Sequence, residues 1–310
     1  MPLLARKKTI LAKIETTYGV DPTPTGAANA ILVRDLEIMP LEADYVDRAL
    51  IRTYIGASEN LPANVRTSIK FKVEMAGSGA AGTAPAWAPL LRACGRSETL
   101  VASTTATYAG ISAAFESVTI YFNIDGVFHK MLGCLGNPVF DFPNKGIPTI
   151  EFTFVGIYVA VADAAAPTPT YSGFIKPLTV GNQNTTPFTL HGYSALASAL
   201  SIDIGNTVEF RSLIGGAERV YIGDRATTGS VTIEATTVAA KDWFAICKAA
   251  TIGALDITQG TVAGNKVQVT SSGVQLTNPR YTEDGVAQML QMDMRFVPTT
   301  GNDELSIVVK

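Results

Sequence analysis

Only two histidines, His129 and His191, are available in this sequence as general bases near neutral pH. Neither lies near a serine or cysteine in a recognisable nucleophile motif, which acyl transfer would require. His129 occupies one position of an alternating, strand-like segment, and His191 precedes Gly192 at an expected turn. We therefore predict structural roles for both histidines.

The three cysteines are also far apart in the chain. Cys94, Cys134 and Cys247 are an odd number and contain no C-x-x-C pair. This spacing argues against a disulfide framework and against a zinc site. Free cysteine is commonly buried as a small apolar residue, and that is the role we expect here.

The acids, methionines and glycine turns of the second half offer no better site. The acids lack the spacing of an EF-hand or of a catalytic carboxylate pair; they are Asp203, Glu209, Asp256, Glu283 and Asp284. Three methionines near the C-terminus are interpreted as core residues: Met289, Met292 and Met294. Gly181–Asn184 and Gly215-Gly216 are interpreted as turns, because no phosphate-loop motif is present. We predict no catalytic, cofactor-binding or metal site, and therefore no enzyme.

Composition indicates a β-rich protein with a large core. The chain has 310 residues, of which 47% are hydrophobic and 16% charged, and it contains 27 glycines. That composition excludes a disordered scaffold and is typical of strands joined by many turns. It also leaves apolar surface for partners.

Charge and hydropathy limit the possible partners. The net charge is −3, and no basic tract exists beyond Arg6–Lys8, so the electrostatic signature of a DNA-binding protein is missing. A near-neutral surface would nevertheless suit a channel that DNA must pass without sticking. No apolar run approaches the roughly 20 residues of a membrane span, and the N-terminus lacks a secretory apolar segment. We expect synthesis and folding in a reducing cytoplasm.

A Pro/Ala/Thr-rich stretch, residues 162–170, divides the chain and is predicted to be a semi-extended linker. The sequences on its two sides resemble each other. Arg52–Gly56 precedes an alternating segment over residues 65–74, and Arg219–Gly223 precedes another over residues 228–235. We interpret this as a duplication, with a first domain over residues 1–161 and a second over 171–310.

Each half continues with a helix-like segment that carries one of the two tryptophans. Apolar residues recur at i, i+3, i+4 and i+7, which predicts one core-facing side on each helix. The predicted anchors are Trp87, Leu90 and Leu91 in the first helix and Trp243 and Ile246 in the second. Thr83 is the expected cap of the first helix, with Pro85 in its first turn.

Further strands are predicted after each helix from period-2 alternation. They cover residues 117–124, 127–132 and 149–155 in the first half and 266–270, 274–276 and 287–297 in the second. The fold class is therefore mainly β (α+β), with two tandem β-sandwich or half-barrel units, each flanked by one short α-helix. The strands carry few gatekeeping charges, so assembly with other chains is the expected protection of their edges.

Two segments of the first half resemble phage tail tube proteins of the siphovirus type. They are Lys13–Arg34 (KIETTYGVDPTPTGAANAILVR) and Ala76–Gly95 (AGSGAAGTAPAWAPLLRACG), with Leu41-Glu42 and Arg48 between them. The match is most specific over residues 13–95. Beyond residue 95 only the strand pattern is similar, so the resemblance of the second half to this family depends on the duplication.

The resemblance implies a structural virion protein whose domains form rings, with strands from each domain building a continuous β-barrel around the channel. Rings stack into the long, non-contractile tail through which DNA is delivered. Six single-domain subunits form the usual ring, so a two-domain chain would form a homotrimeric, pseudo-hexameric one. The implied partners are further copies of this chain, the tape measure protein, and the tail terminator and distal tail proteins. DNA would pass without specific binding.

Family members also carry a long loop that reaches the adjacent ring, and residues 40–56 match it. An anchor-and-rim interface is expected here, with tyrosines and isoleucine buried and charges paired across rings. The predicted contact residues are Asp44, Tyr45, Asp47, Arg48, Ile51, Arg52 and Tyr54. Its counterpart is expected at residues 202–223. An ordinary solvated hairpin is the alternative, because surface charge pairs contribute little.

A two-domain β-sandwich that recognises a receptor or glycan, as a virion protein or adhesin, is the alternative function. Such a protein would display aromatic platforms on loops. Both tryptophans instead lie on helices that are predicted to face the core, which favours the structural function.

Overall fold

The computed structural model describes residues 2–310 and is 51% strand and 5% helix. Seventeen strands are connected by hydrogen bonds into one antiparallel sheet system, and two more form a separate hairpin. Three helices are present, all short. The mainly β prediction is confirmed.

The elements up to the predicted linker are mostly long strands. In chain order they are β1 (Lys8–Ile14), α1 (Gly26–Asn29), β2 (Ala30–Ile31), β3 (Arg34–Asp47), β4 (Asn60–Glu74), α2 (Ala88–Arg92), β5 (Thr99–Val101), β6 (Thr105–Ala109), β7 (Val118–Ile124), β8 (Val127–Pro143) and β9 (Thr149–Tyr158). Alternating apolar residues of β4 and β9 face the core, as period-2 geometry requires. Helix α1 was not predicted.

The elements of the remaining chain follow a similar succession. They are β10 (Ala162–Asp163), β11 (Thr185–Leu190), β12 (Ala197–Asp203), β13 (Asn206–Arg211), β14 (Arg219–Arg225), β15 (Thr228–Glu234), α3 (Trp243–Lys248), β16 (Ile252–Gln259), β17 (Val267–Asp284), β18 (Ala287–Phe296) and β19 (Ser306–Val309). Residues 266–270 and 274–276 were predicted as two strands, but β17 runs through both. The sequence pattern breaks at Ser271–Gly273, where the pairing with β16 shifts register, whereas the backbone stays extended through the break.

Strand pairing follows the same order in both halves. In the first, neighbours run β3–β4–β9–β8–β7–β1. In the second, they run β12–β15–β18–β17–β16–β11. In each half the helix connects the second strand of this order to the strands that follow it in sequence. This agreement is the structural observation most relevant to the predicted duplication.

The segments Arg52–Gly56 and Arg219–Gly223, which share the sequence Tyr-Ile-Gly, do not occupy equivalent positions in the two halves. Tyr54 lies in an irregular loop, whereas Tyr221 lies within β14 and pairs with Glu209. Strand β14 leads directly into β15, just as the N-terminal part of β4 leads into the part of β4 that pairs with β9. The counterpart of β14 is therefore the N-terminal part of β4. The similarity of the halves is thus carried by strand order, and this short motif is displaced along the hairpin.

The two halves share one sheet system and one core. The C-terminal part of β8 pairs with β12, and β6 pairs with β19. Buried side chains from both halves form a single apolar cluster. The division at residues 162–170 therefore remains a prediction about ancestry and repeat units, inside a molecule whose halves are packed together.

The predicted linker is ordered against the first half. Its first two residues form β10 and pair with Phe128 and Val127, so the stretch begins as a strand of the sheet. Further along, the Thr170 amide donates to the Gly26 carbonyl at 2.9 Å. Gly26 lies so close to the Thr168 carbonyl that a side chain there would clash.

Both tryptophan helices are shorter than predicted. Helix α2 begins after Trp87, and its N-cap makes no side-chain hydrogen bond, so Thr83 is not the cap. The Pro85 carbonyl instead accepts from the Ala88 amide in a tight turn. Helix α3 is capped by Asp242, whose side chain accepts from the Ala245 amide at 2.8 Å.

Candidate assembly surfaces

A long hairpin projects from each half beyond the sheet. Strand β4 pairs with β9 only over Arg66–Glu74, while its N-terminal part pairs with β3 alone. The last pair is Asp47 with Asn60, and residues 48–59 form the irregular tip. We call residues 42–66 the first hairpin arm.

The first hairpin arm exposes apolar side chains in unusual number. Tyr45 is 61% exposed, Tyr54 is 66% exposed, and Ile51 is fully exposed. Further exposed apolar residues on the same arm are Val46, Leu50, Ile55 and Leu61. Exposed apolar residues in such number on one projecting arm indicate a protein contact.

The charges of this arm are already paired within it. Asp44 accepts from Asn64 at 2.8 Å and from Arg66 at 3.1 Å, and these bonds lower the pKa of its carboxyl group. Arg48 and Arg52 both pair with Glu59.

Asp47 accepts a hydrogen bond from the Ala49 amide at 3.0 Å. In the single chain these charged residues bond within their own arm, and their pairing across rings stays a prediction.

The second hairpin arm is β13 and β14 with their tip, residues 206–225. It forms its own two-stranded sheet, and its tip exposes Leu213 and Ile214. Arg211 and Arg219 pair across the two strands, and each guanidinium lies 5.9 Å from the Tyr221 ring centroid. The arm overlaps the expected counterpart at residues 202–223 and also carries apolar residues at its tip.

Tyr18 fastens the second arm to the first half, a role that sequence reasoning missed. Its hydroxyl accepts from the Val220 amide at 2.6 Å and donates to the Gly133 carbonyl at 3.1 Å. The Arg219 guanidinium lies 4.4 Å from the ring centroid. Burial raises the pKa of Tyr18 to about 12.

Glu15, which lies beside Tyr18, is a buried carboxylate with four donors. It accepts from the hydroxyls of Ser117 and Thr119, both at 2.6 Å. It also accepts from the amides of Gly133 at 2.8 Å and Gly19 at 2.7 Å. Both residues lie in the KIETTYG segment, so the stretch that resembled a known family is also the one that joins β1, β8 and the second arm.

Comparison with protein families identifies the group to which the chain belongs. A family described as phage tail tube protein matches residues 5–302, nearly the entire chain. The chain is a member of the phage tail tube protein family. A search among curated proteins found no match.

Membership in the tail tube family makes this chain a structural component of a phage virion that assembles with itself into a tube. The family match by itself identifies neither the repeat nor the siphovirus type. Across residues 2–310, none of the helices has the length and apolar character needed to cross a membrane.

Both tryptophans of the tail tube protein are 1% exposed. The Trp87 indole donates to the Ala76 carbonyl at 2.9 Å, and the Trp243 indole donates to the Thr236 hydroxyl at 3.1 Å. Leu90 and Leu91 are fully buried, whereas Ile246 is half-buried. These aromatic side chains support the core and provide no exposed platform of the kind a glycan-binding protein would need.

One face of the sheet is polar, and several of its cations are paired with acids. Lys70 lies 2.8 Å from Glu151, and Lys72 lies 3.7 Å from the same carboxylate. The Glu151 hydrogen bond raises the pKa of Lys70, which stays protonated and neutralised. Arg280 and Asp293 make a similar pair in the second half, at 3.4 Å.

The histidines make packing and hydrogen-bond contacts, and the cysteines are buried or half-buried. His129 stacks on Phe122 with ring centroids 4.4 Å apart, and His191 Nε2 lies 2.8 Å from the Val274 carbonyl. Burial lowers the pKa of both imidazoles. Cys94 and Cys134 are buried and Cys247 is half-buried. Among residues 2–310, no three His, Cys, Asp or Glu side chains are grouped to hold a metal.

Proposed function

We propose that this tail tube protein forms homotrimeric, pseudo-hexameric rings that stack into the long, non-contractile tail tube of a siphovirus-type phage. The observation that carries this proposal is the identical strand order of the two halves. Each half then supplies one tube domain, residues 1–161 and 171–310, joined by residues 162–170. Three chains supply the six domains that a ring of single-domain subunits would contain.

Ring closure has a physical reason in the sheet edges. An unpaired edge strand presents open amides and carbonyls that another chain can pair with. Heterologous contacts that repeat around a cyclic axis close a ring and leave no edge exposed. The first half offers such an edge on β3, and the second half offers one on the C-terminal part of β17.

The two hairpin arms are the proposed contacts between rings. In the first arm, Tyr45, Ile51 and Tyr54 would be buried in the adjacent ring, while the charged residues hold the arm in shape and form the rim. Those charged residues are Asp44, Asp47, Arg48 and Arg52. The exposed Leu213 and Ile214 would act in the same way from the second arm.

The polar sheet face is the proposed wall of the channel. Because Lys70, Lys72 and Arg280 are paired with acids, they attract phosphate weakly, and DNA would pass without specific binding. By family resemblance, the tube would enclose the tape measure protein and end at the tail terminator and distal tail proteins, after assembly in the host cytoplasm.

Negative-stain electron microscopy of the purified, concentrated protein tests the proposal. We expect hollow rods whose end-on views are annular, because stacked rings are the assembled form. Particles that remain dispersed and monomeric at high concentration would contradict it. The same images distinguish the receptor-binding alternative, which predicts discrete particles without a channel.

A further inference from the structure

Two long strands of the main sheet system, β3 and β17, each have an edge with no pairing partner within residues 2–310. Strand β3 pairs with β4 along one side and has no partner along the other. Strand β17 pairs with β16 from Val267 to Gln275 and with β18 from Val274 to Asp284. On the side occupied by β16, the part of β17 after Gln275 is therefore open.

In the first half, the corresponding strand is β8, and its edge is paired along this part as well. Strand β7 pairs with one side of β8 only as far as Cys134. Further along that side, β12 from the second half pairs with β8, from Val139 opposite Asp203 to Pro143 opposite Ala199. The side is the same because β9 occupies the opposite side at both places.

The sheet register identifies which residues of β8 and β17 are equivalent. Ile150 and Leu290 each lie opposite the penultimate residue of the strand that precedes the tryptophan helix, β4 or β15. On the next strand, Phe140 lies opposite Ile150 and Tyr281 lies opposite Leu290. Phe140 and Tyr281 are therefore equivalent positions.

The register equally relates β12 to β3. Ile69 and Gly229 are each the sixth residue from the C-terminal end of β4 or β15. Ile38 lies opposite Ile69, and Ile202 lies opposite Gly229. Ile38 of β3 is therefore equivalent to Ile202 of β12, the residue that lies opposite Phe140.

We propose that the free edge of β3 in one copy of this chain pairs with the open edge of β17 in the next copy, in the register that β12 adopts on β8. Ile38 then lies opposite Tyr281, Glu37 opposite Thr282, and Met39 opposite Arg280. This inference rests on the proposed ring and names the strands that close it. The occupant is a second copy because neither edge is paired within its own chain.

Burial at the two edges agrees with a missing partner. Where β12 covers β8, Ile202 and Phe140 are fully buried. Their equivalents are less covered, since Ile38 is only half-buried and Tyr281 is 59% exposed. Strand addition would complete this apolar layer.

Charge and backbone shape favour the same register. Glu37 would lie diagonally across from Arg280, where opposite charges attract. Bulges interrupt β3 between Arg34 and Glu37 and between Met39 and Glu42, which leaves a short regular stretch. The β12–β8 contact is similarly short, so this length suffices.

Pairing of this kind makes the sheet continuous through every subunit. Within one chain it runs β3–β4–β9–β8–β12–β15–β18–β17. The next copy's β3 follows β17, so the contact between halves is repeated between chains. One type of joint then serves all positions around the ring.

Disulfide trapping tests the register in assembled rods. In Glu37→Cys/Thr282→Cys the two side chains would be directly opposite, about 4.5–5.5 Å apart at Cβ. We expect mild oxidation to convert most monomer into linked chains, ending at a covalent trimer. The matched control, Glu37→Cys/Glu283→Cys, places the second thiol on the other face and should lose this cross-linking. Each single variant measures the background from native cysteines such as Cys247.

The outcomes separate this inference from the proposed function. If rods form but Glu37→Cys/Thr282→Cys gives no disulfide cross-link, the strand pairing is wrong and the proposed ring still stands. The same conclusion follows if the control variant cross-links equally. A protein that never assembles overturns both. Should the double variant fail to assemble, hydrogen exchange on wild-type rods decides: amides in residues 36–39 and 280–283 must become protected relative to the monomer, and unchanged exchange at both edges overturns the pairing.

Discussion

At the scale of single residues, Tyr18 is the most informative position because its hydroxyl joins the two halves. In Tyr18→Phe, the Val220 amide loses its acceptor and remains partly buried. We expect the free energy of unfolding to fall by about 1–2 kcal/mol, measured by denaturant titration. Tyr45→Phe is the matched control, because Tyr45 is exposed on the first arm. Equal stability of the two variants would contradict the role of Tyr18.

The same residue gives a pH dependence with a defined sign. The pKa of Tyr18 is about 12 in the folded protein, against an ordinary value of 10, because burial disfavours the phenolate. The unfolded chain therefore loses this proton first, and the stability from Tyr18 is present below pH 10 and is lost as the pH rises toward 12. The stability difference between wild type and Tyr18→Phe should shrink over that window. A difference that stays constant would contradict the assignment.

At the scale of elements, the hairpin arms carry the proposed contact between rings. In Ile51→Ser/Ile55→Ser, two exposed side chains are lost, each worth about 1.5–3 kcal/mol if buried in a partner. We expect unchanged folding of the monomer and a higher protein concentration for rod formation, measured by sedimentation. The matched control on the same tip is Thr53→Ser/Ala57→Ser. An equal critical concentration in both variants would show that the tip is not a contact.

The strands were the part of the fold most accessible to sequence. Alternation identified β4, β7, β9, β15 and β18, because one face of each is buried and period 2 is a local signal. The division of β17 into two strands at Ser271–Gly273 was wrong. Small residues interrupt the apolar pattern there, but the backbone remains one strand. The helix cap at Thr83 was also wrong, since the tight turn at Pro85–Ala88 precedes the helix.

Contacts between distant segments were less accessible, for a physical reason. The pairing of β8 with β12 and of β6 with β19 joins segments far apart in sequence, and no local pattern encodes a partner. Tyr18 and Glu15 lay within the segment that resembled the family, yet their hydrogen bonds depend on β8 and the second arm. On the first arm, the fold places Arg48 and Arg52 beside Glu59, a partner that the sequence did not indicate, and their pairing across rings stays a prediction.

At the scale of the whole molecule, one joint between sheet-plus-helix units occurs inside the chain and is proposed to recur between chains. In the proposed ring, this arrangement fuses two ring positions covalently, so every second joint is built during folding. Assembly then requires three intermolecular joints for each ring in place of six.

The most direct test of the account is the number of chains in one ring of the assembled tube, determined by cryo-electron microscopy of the rods. The account predicts three chains with threefold symmetry, a wall of approximate sixfold symmetry, and residues 1–161 and 171–310 alternating around it. Six chains in a ring, or a wall built from one half while the other lies outside it, would contradict the account.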